Sequence, residues 1–431
     1  MRTILLTAIA AALSGTASAE PVTIHAGRLI DVPGKPVRGN STIVVDQGRI
    51  VSVSPGFVAP AAGSTLIDLR DKTVLPGLID SHVHLDSDAG GDAGLLEGLQ
   101  KSDGWFALNA YVNGMKTVRA GFTTVRNLGD GTGATLALRD AVKSGMVQGP
   151  RIVDAGRSIS TTAGHMDGAL GLRDEYRPLA EVAENTCNGA EACRRAVRLQ
   201  VGRGADVIKL ATTGGVNSRI GAGLGAQMFN DEAKAIVETA HLYGKKVAVH
   251  AHGADGIAMA LRLGVDSIEH GTILTPEVID LWSKSKTYYV PTLSTVNGYK
   301  ERLAANPQAY QGEVLEKIRW RIGITGKSLQ VLVPRGVKIA FGTDAGVSKH
   351  GRNGDEFELM VANGMTPTEA LKAATVNAAD LLGLSSEIGT IEPGKSADIV
   401  AVDGDPIADV KLLKSMAFVM AQGRVVPPST R

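Results

Sequence analysis

The chain is poor in cysteine, with only Cys187 and Cys193 among 431 residues. That excludes a disulfide-built scaffold, and the spacing is not that of a metal knuckle. In an oxidising compartment the two can pair locally; the sequence leaves open whether they do. Neither sign of charge is in excess, since the formal net charge is +1 and no basic tract occurs. An electrostatic nucleic-acid binder is therefore excluded. Beyond the N-terminus no apolar run reaches membrane length without charges, so no stable membrane anchor is expected.

What is present begins at the N-terminus. Met1-Arg2 is a short positive start, Ile4 to Leu13 an apolar core, and Ala17-Ser18-Ala19 a small-x-small cleavage signal. Residues 1–19 read as a secretory signal peptide, too short for a normal membrane span. The expected product is periplasmic or secreted.

Residues 20–75 hold short alternating runs such as Val22-Thr23-Ile24-His25 and Ser41-Thr42-Ile43-Val44-Val45, separated by turns. Residues 389–431 repeat the style with Ile399-Val400-Ala401-Val402 and Phe418-Val419-Met420. The pattern predicts a small β-sandwich domain built from both termini. Between them, over residues 76–388, strands and helices alternate. Eight apolar strands, the last at Lys338-Ile339-Ala340-Phe341-Gly342, predict an α/β fold, a closed (β/α)8 TIM barrel.

In such a barrel the chemistry sits where strands end. His82 and His84 are two apart at the end of the first strand, so both imidazoles face one point. Lys209, His250, His270 and Asp344 fall at the ends of the fourth, fifth, sixth and eighth strands. A protonated lysine among metal-binding histidines is repelled, so Lys209 fits only if neutral or modified. Carbamylation would turn it into an anion able to bridge two divalent cations. Four histidines, one bridging anion and the Asp344 carboxylate suit two ions of zinc or a similar metal.

These motifs resemble the metal-dependent amidohydrolase superfamily. The resemblance rests on Pro76-Gly77-Leu78-Ile79-Asp80 before His82-Val83-His84, and on Val207-Ile208-Lys209, His250 and Ile268-Glu269-His270-Gly271. It continues through Gly342-Thr343-Asp344-Ala345-Gly346 and Gly389-Thr390-Ile391-Glu392-Pro393-Gly394. Ser160-Thr161-Thr162-Ala163-Gly164-His165 and Lys209-Leu210-Ala211-Thr212-Thr213-Gly214-Gly215 resemble its exported prolidase-like and carboxypeptidase-like branch. The chain is also similar to bacterial amidohydrolases that cleave ochratoxin A, an amide of phenylalanine. The resemblance implies metal-dependent hydrolysis of an amide in a dipeptide or N-acyl amino acid. It implies His82, His84, carboxylated Lys209, His250, His270 and Asp344 as metal ligands, Asp344 as acid/base, and a homo-oligomer.

Weaker candidates surround that set. His165, after the third strand, can stabilise charge on the substrate carbonyl or simply hold its loop. His252, two beyond His250, can touch substrate or tie down its own loop. The glycine-rich stretch Gly214 to Gly225 can cover the mouth, and it lacks a phosphate-binding Gly-Lys-Ser/Thr run. Arg219 within it is a candidate for a substrate carboxylate, and Met228 and Phe229 for an apolar pocket. A cyclic amide hydrolase or deaminase would use the same metal frame. A non-enzymatic metal-binding envelope protein would need the ligands without turnover.

Overall fold

The computed structural model describes residues 21–89, 91–181, 184–219 and 223–429. The signal-peptide reading over 1–19 lies outside them.

Strands from the two ends of the chain meet around one long strand, Thr65–Pro76. It pairs parallel with Val22–Leu29 and antiparallel with Ile399–Asp403, Ile399 facing Pro76. Ser41–Asp46 and Arg49–Pro55 extend one side; Phe418–Ala421 and Arg424–Val425 extend the other. Gln47 and Gly48 both have positive φ, which matches the twist of the hairpin they close. Ile24, Ile43, Val74, Ile399 and Met420 are fully buried in a core of their own. Hydrogen bonds join these strands into one mixed seven-stranded sheet.

Gly77 then hands the chain to the strand Leu78–Val83. A Cβ at Gly77 would stand 2.1 Å from Thr123 Oγ1, so only glycine lets the neighbouring strand approach. Leu78–Val83, Phe122–Asn127 and Arg151–Asp154 form one parallel sheet. Val207–Ala211, Lys246–Ala251, Ser267–His270 and Tyr288–Val290 form another. Leu78–Val83, Phe122–Asn127 and Val207–Ala211 are buried along their whole length, as expected where helices cover parallel strands. Single parallel bridges occur at Ile159–Leu210, Tyr289–Ile339 and Val83–Ala345. The predicted eighth strand at 338–342 is not a regular strand; it makes one bridge, at Ile339. The architecture is an α/β fold of two parallel sheets with the mixed sheet beside them.

Two helices, Gly91–Gln100 and Asp103–Arg119, follow the strand that carries His82. Cys187 and Cys193 are joined, with Cα atoms 4.9 Å apart, which settles the question the sequence left open. Among the described residues, no helix is long and apolar enough to cross a membrane.

Candidate metal centre

His82 lies on the strand Leu78–Val83, and its orientation is set from behind. Its Nδ1 is 2.9 Å from Glu269 Oε2, so the carboxylate accepts and Nε2 is left for the cavity. Glu269 is itself fixed by Arg126 Nη2 at 2.9 Å and Ser267 Oγ at 2.5 Å. Burial opposes its ionisation, but the Arg126 charge and the His82 hydrogen bond hold its carboxyl down at about 2. His84 donates Nδ1–H to the Gly129 carbonyl at 3.0 Å, which also frees Nε2. Both Nε2 atoms then meet one oxygen: Asp344 Oδ1 is 3.4 Å from His82 and 3.3 Å from His84.

Asp344 sits at φ 57°, a left-handed conformation unusual for a side-chain-bearing residue. Its surroundings determine that geometry. Asp344 N donates to the His82 carbonyl at 2.7 Å. Asp80 takes hydrogen bonds from His82 N, Thr343 N, Thr343 Oγ1 and Asn353 Nδ2, tying the histidine strand to the aspartate turn. Burial alone would push the Asp344 carboxyl up; His82 and His84 hold it at about 2, ionised across the neutral range.

The remaining histidines come from neighbouring strands. Thr292 Oγ1 gives its proton to the Pro291 carbonyl at 2.8 Å and so accepts from His270 Nδ1 at 2.7 Å. His252 Nδ1 contacts Thr272 Oγ1 at 2.7 Å, and His250 Nε2 the Gly214 carbonyl at 3.3 Å. Burial keeps His250, His252 and His270 neutral, pushing each far below its usual range. A neutral imidazole offers a lone pair to a cation. Donor atoms of His82, His270 and Asp344 converge within 4.8 Å, and so do those of His250, His252 and His270.

Lys209 lies at the centre of its strand, Val207–Ala211, rather than at its end. Its Nζ is buried without a hydrogen-bond partner. Burial pushes the amine down to about 8, so a neutral, reactive fraction is accessible near neutral pH. An orphaned amine among neutral histidines and an ionised aspartate is a donor set that fits one or two divalent ions.

The structure brings His82, His84, His165, Lys209, His250, His252, His270 and Asp344 to one cavity. The His165 ring centre is 4.1 Å from that of His250. Its backbone N–H is held by Gln227 Oε1 at 2.9 Å, and its Nδ1 makes a short contact with Ser218 Oγ. Three predicted substrate residues are elsewhere. Arg219 is exposed and does not line the cavity. Met228 is buried in the main hydrophobic core, and Phe229 is 77% exposed at the start of the helix Asn230–Leu242. Met228 packs inward just ahead of the helix, and Phe229, its N-cap, faces solvent. His350 supports rather than lines the site: its Nε2 is 2.9 Å from the His84 carbonyl. Arg352 pairs with Glu301 and Asp355.

Sequence reasoning missed Met166, Asn217, Tyr299 and Arg321, which also line the cavity. Tyr299 and Arg321 sit on the helices Thr295–Ala305 and Gly312–Ile324. Helical residues there carry no strand-end signal. The buried Arg126–Glu269 pair was also missed, although Glu269 stands directly before His270.

Buried imidazoles and a carboxylate gathered beside parallel strands define a metal-dependent α/β enzyme. The chain belongs to the amidohydrolase family, whose model matches residues 73–426. It is 32% identical over 418 residues to the ochratoxinase of Aspergillus niger, covering 93% of this chain and 85% of that one. A crystal structure of a Xaa-Pro dipeptidase with methionine in its active site superposes with TM-score 0.88 at 39% identity, covering 94% and 99% of the two chains. A prolidase complexed with N-methylphosphonate-L-proline gives TM-score 0.84 at 30% identity, covering 95% and 100%.

Proposed function

We propose that this protein hydrolyses the amide bond of a dipeptide or N-acyl amino acid, with Asp344 moving the proton. Metal-dependent amide hydrolysis is the chemistry of its family and its site. The observation that carries the finer reading is the Asp344 carboxylate, ionised and shared between His82 Nε2 and His84 Nε2. His82, His84, His250, His270 and Asp344, with Lys209 as a carboxylated bridge, would hold two divalent ions, zinc by the nitrogen-rich donor set. Such ions supply an acidified water and polarise the scissile carbonyl.

The chain's own residues supply the rest. Asp344 accepts the proton of the attacking water and delivers it to the leaving nitrogen, which cannot depart as an anion. Gly215 N donates to Ser218 Oγ at 3.4 Å, so the Ser218 hydroxyl can give its own proton to His165 Nδ1. Burial keeps His165 neutral, at about 4. Its Nε2–H is then free to donate to the carbonyl oxygen as charge develops there.

The three single bridges between and beside the two parallel sheets support reading the frame over 76–388 as a closed (β/α)8 barrel. Residues 20–75 and 389–431 are then the two parts of the small β domain. The Cys187–Cys193 bond supports export to an oxidising compartment after removal of residues 1–19. A homo-oligomer is part of the same proposal. The test is a panel of dipeptides and N-acyl amino acids, ochratoxin A among them, beside cyclic amides and deamination substrates. The reading requires turnover of the first group. Turnover confined to the second would replace it with a cyclic amide hydrolase or deaminase.

A further inference from the structure

Arg321 is a buried cation without an anion. It is 3% exposed, on the helix Gly312–Ile324, and lines the same cavity as Asp344. No carboxylate among the described residues forms an ion pair with it. Among the described residues its hydrogen bonds are two long ones, from Nη2 to the carbonyls of Pro291 at 3.4 Å and Thr292 at 3.5 Å. A guanidinium has five N–H donors, so most of its capacity is unused. Burying a charge without a counter-charge is unfavourable.

Apart from Lys209, the unpartnered amine of the metal set, the other buried cations are paired. Arg126, equally buried, is paired with Glu269 at 2.9 Å. Lys317, one turn before Arg321, pairs with Glu313 at 3.6 Å and donates to the carbonyls of Gly215 and Ser218. Lys317 thus secures the loop that holds His165, while Arg321 is left facing the cavity. Its location is fixed on the metal side as well. Thr292, whose carbonyl it touches, is the residue whose hydroxyl orients His270.

We propose that Arg321 is the specificity residue of the site and binds the free carboxylate of the leaving amino acid. A planar guanidinium matches a carboxylate with two parallel hydrogen bonds, and the substrate itself provides the missing counter-charge. Within the proposed dipeptides and N-acyl amino acids, the free C-terminal carboxylate is then the group that Arg321 selects. Amides blocked at that end are poor substrates. This role, assigned to Arg219 by sequence reasoning, moves to a residue within the cavity. The inference rests on the amide-hydrolase reading.

The experiment compares N-acyl-phenylalanine with its C-terminal carboxamide, using the metal-loaded full chain, wild type, Arg321→Met and Arg321→Lys. Wild type should favour the free acid. Arg321→Met should lower kcat/KM for the acid about 10- to 100-fold, mainly through KM, and lower it several-fold less for the carboxamide. Arg321→Lys, which keeps the charge but not the fork, should lose part of the preference and covers the case in which the methionine variant does not fold. Equal losses on acid and carboxamide, or no wild-type preference, would overturn the assignment while leaving amide hydrolysis intact. If neither compound turns over, the amide-hydrolase reading fails on this pair. Calorimetric binding of the same two compounds then decides Arg321 by itself: loss of acid-selective binding in Arg321→Met supports it, and unchanged or absent selectivity refutes it.

Discussion

Asp344 combines three features: a left-handed backbone, two imidazole neighbours, and an ionised carboxyl kept at about 2 despite burial. A residue in that conformation costs about 1–3 kcal/mol and persists only where its surroundings over-determine it, as Asp80 and Asn353 do here. Asp344→Asn should retain shape but not the proton transfer. The expected result is a fall in kcat of about 10²–10⁴ with KM little changed, checked by steady-state kinetics at verified metal content. Glu269 makes a separate prediction. Its folded carboxyl lies at about 2 against an ordinary 4.5, so it binds fewer protons folded than unfolded. Its contribution to stability is therefore present above 4.5 and is lost as pH falls toward 2. Acid unfolding curves of Glu269→Gln should be flatter than wild type across that window. The same variant should bind metal about 10- to 100-fold more weakly, because His82 loses the acceptor that orients it.

At the scale of elements, what the sequence made legible follows its periodicities. The two-residue period placed His82 with His84 and His250 with His252, and the structure keeps all four at one cavity. Lys209, His270 and Asp344 were found because each follows a short apolar run. Arg321 was invisible, since a charged residue on a helix usually reads as solvated and only its tertiary position buries it. Met228 and Phe229 misled for the converse reason: two apolar neighbours at a helix start point in different directions, one to the core and one to water. The eighth strand was legible as an apolar segment but not as an irregular one, because pairing is not written in a single segment. The junction at Gly77 is the element most sensitive to change. Gly77→Ala would place Cβ 2.1 Å from Thr123 Oγ1. The expected cost is about 1–3 kcal/mol, seen as a lower melting temperature with metal binding retained once folded.

For the whole molecule, the central event is that both ends of the chain close on one strand. Thr65–Pro76 pairs with strands from each terminus and leads through Gly77 into the strand that carries His82. The alternating runs at both ends announced that closure; their joining into a single sheet was decided by strand pairing across more than three hundred residues. Export is tested at this scale too: protein from the native host's envelope or medium should begin at Glu20, and an intact Met1 on cytoplasmic protein would contradict it.

If amide hydrolysis depends on two divalent ions held by this histidine–aspartate set with modified Lys209, metal content and turnover must rise together. The direct measurement is a titration of chelator-stripped protein with zinc, reading bound metal and turnover of an N-acyl amino acid on the same samples. Stripped protein should be inactive, activity should reach its maximum at two ions per chain, and Lys209 should then carry an added carboxylate by mass spectrometry. Full activity in the stripped protein, or two bound ions and full activity with Lys209 unmodified, would contradict that dependence.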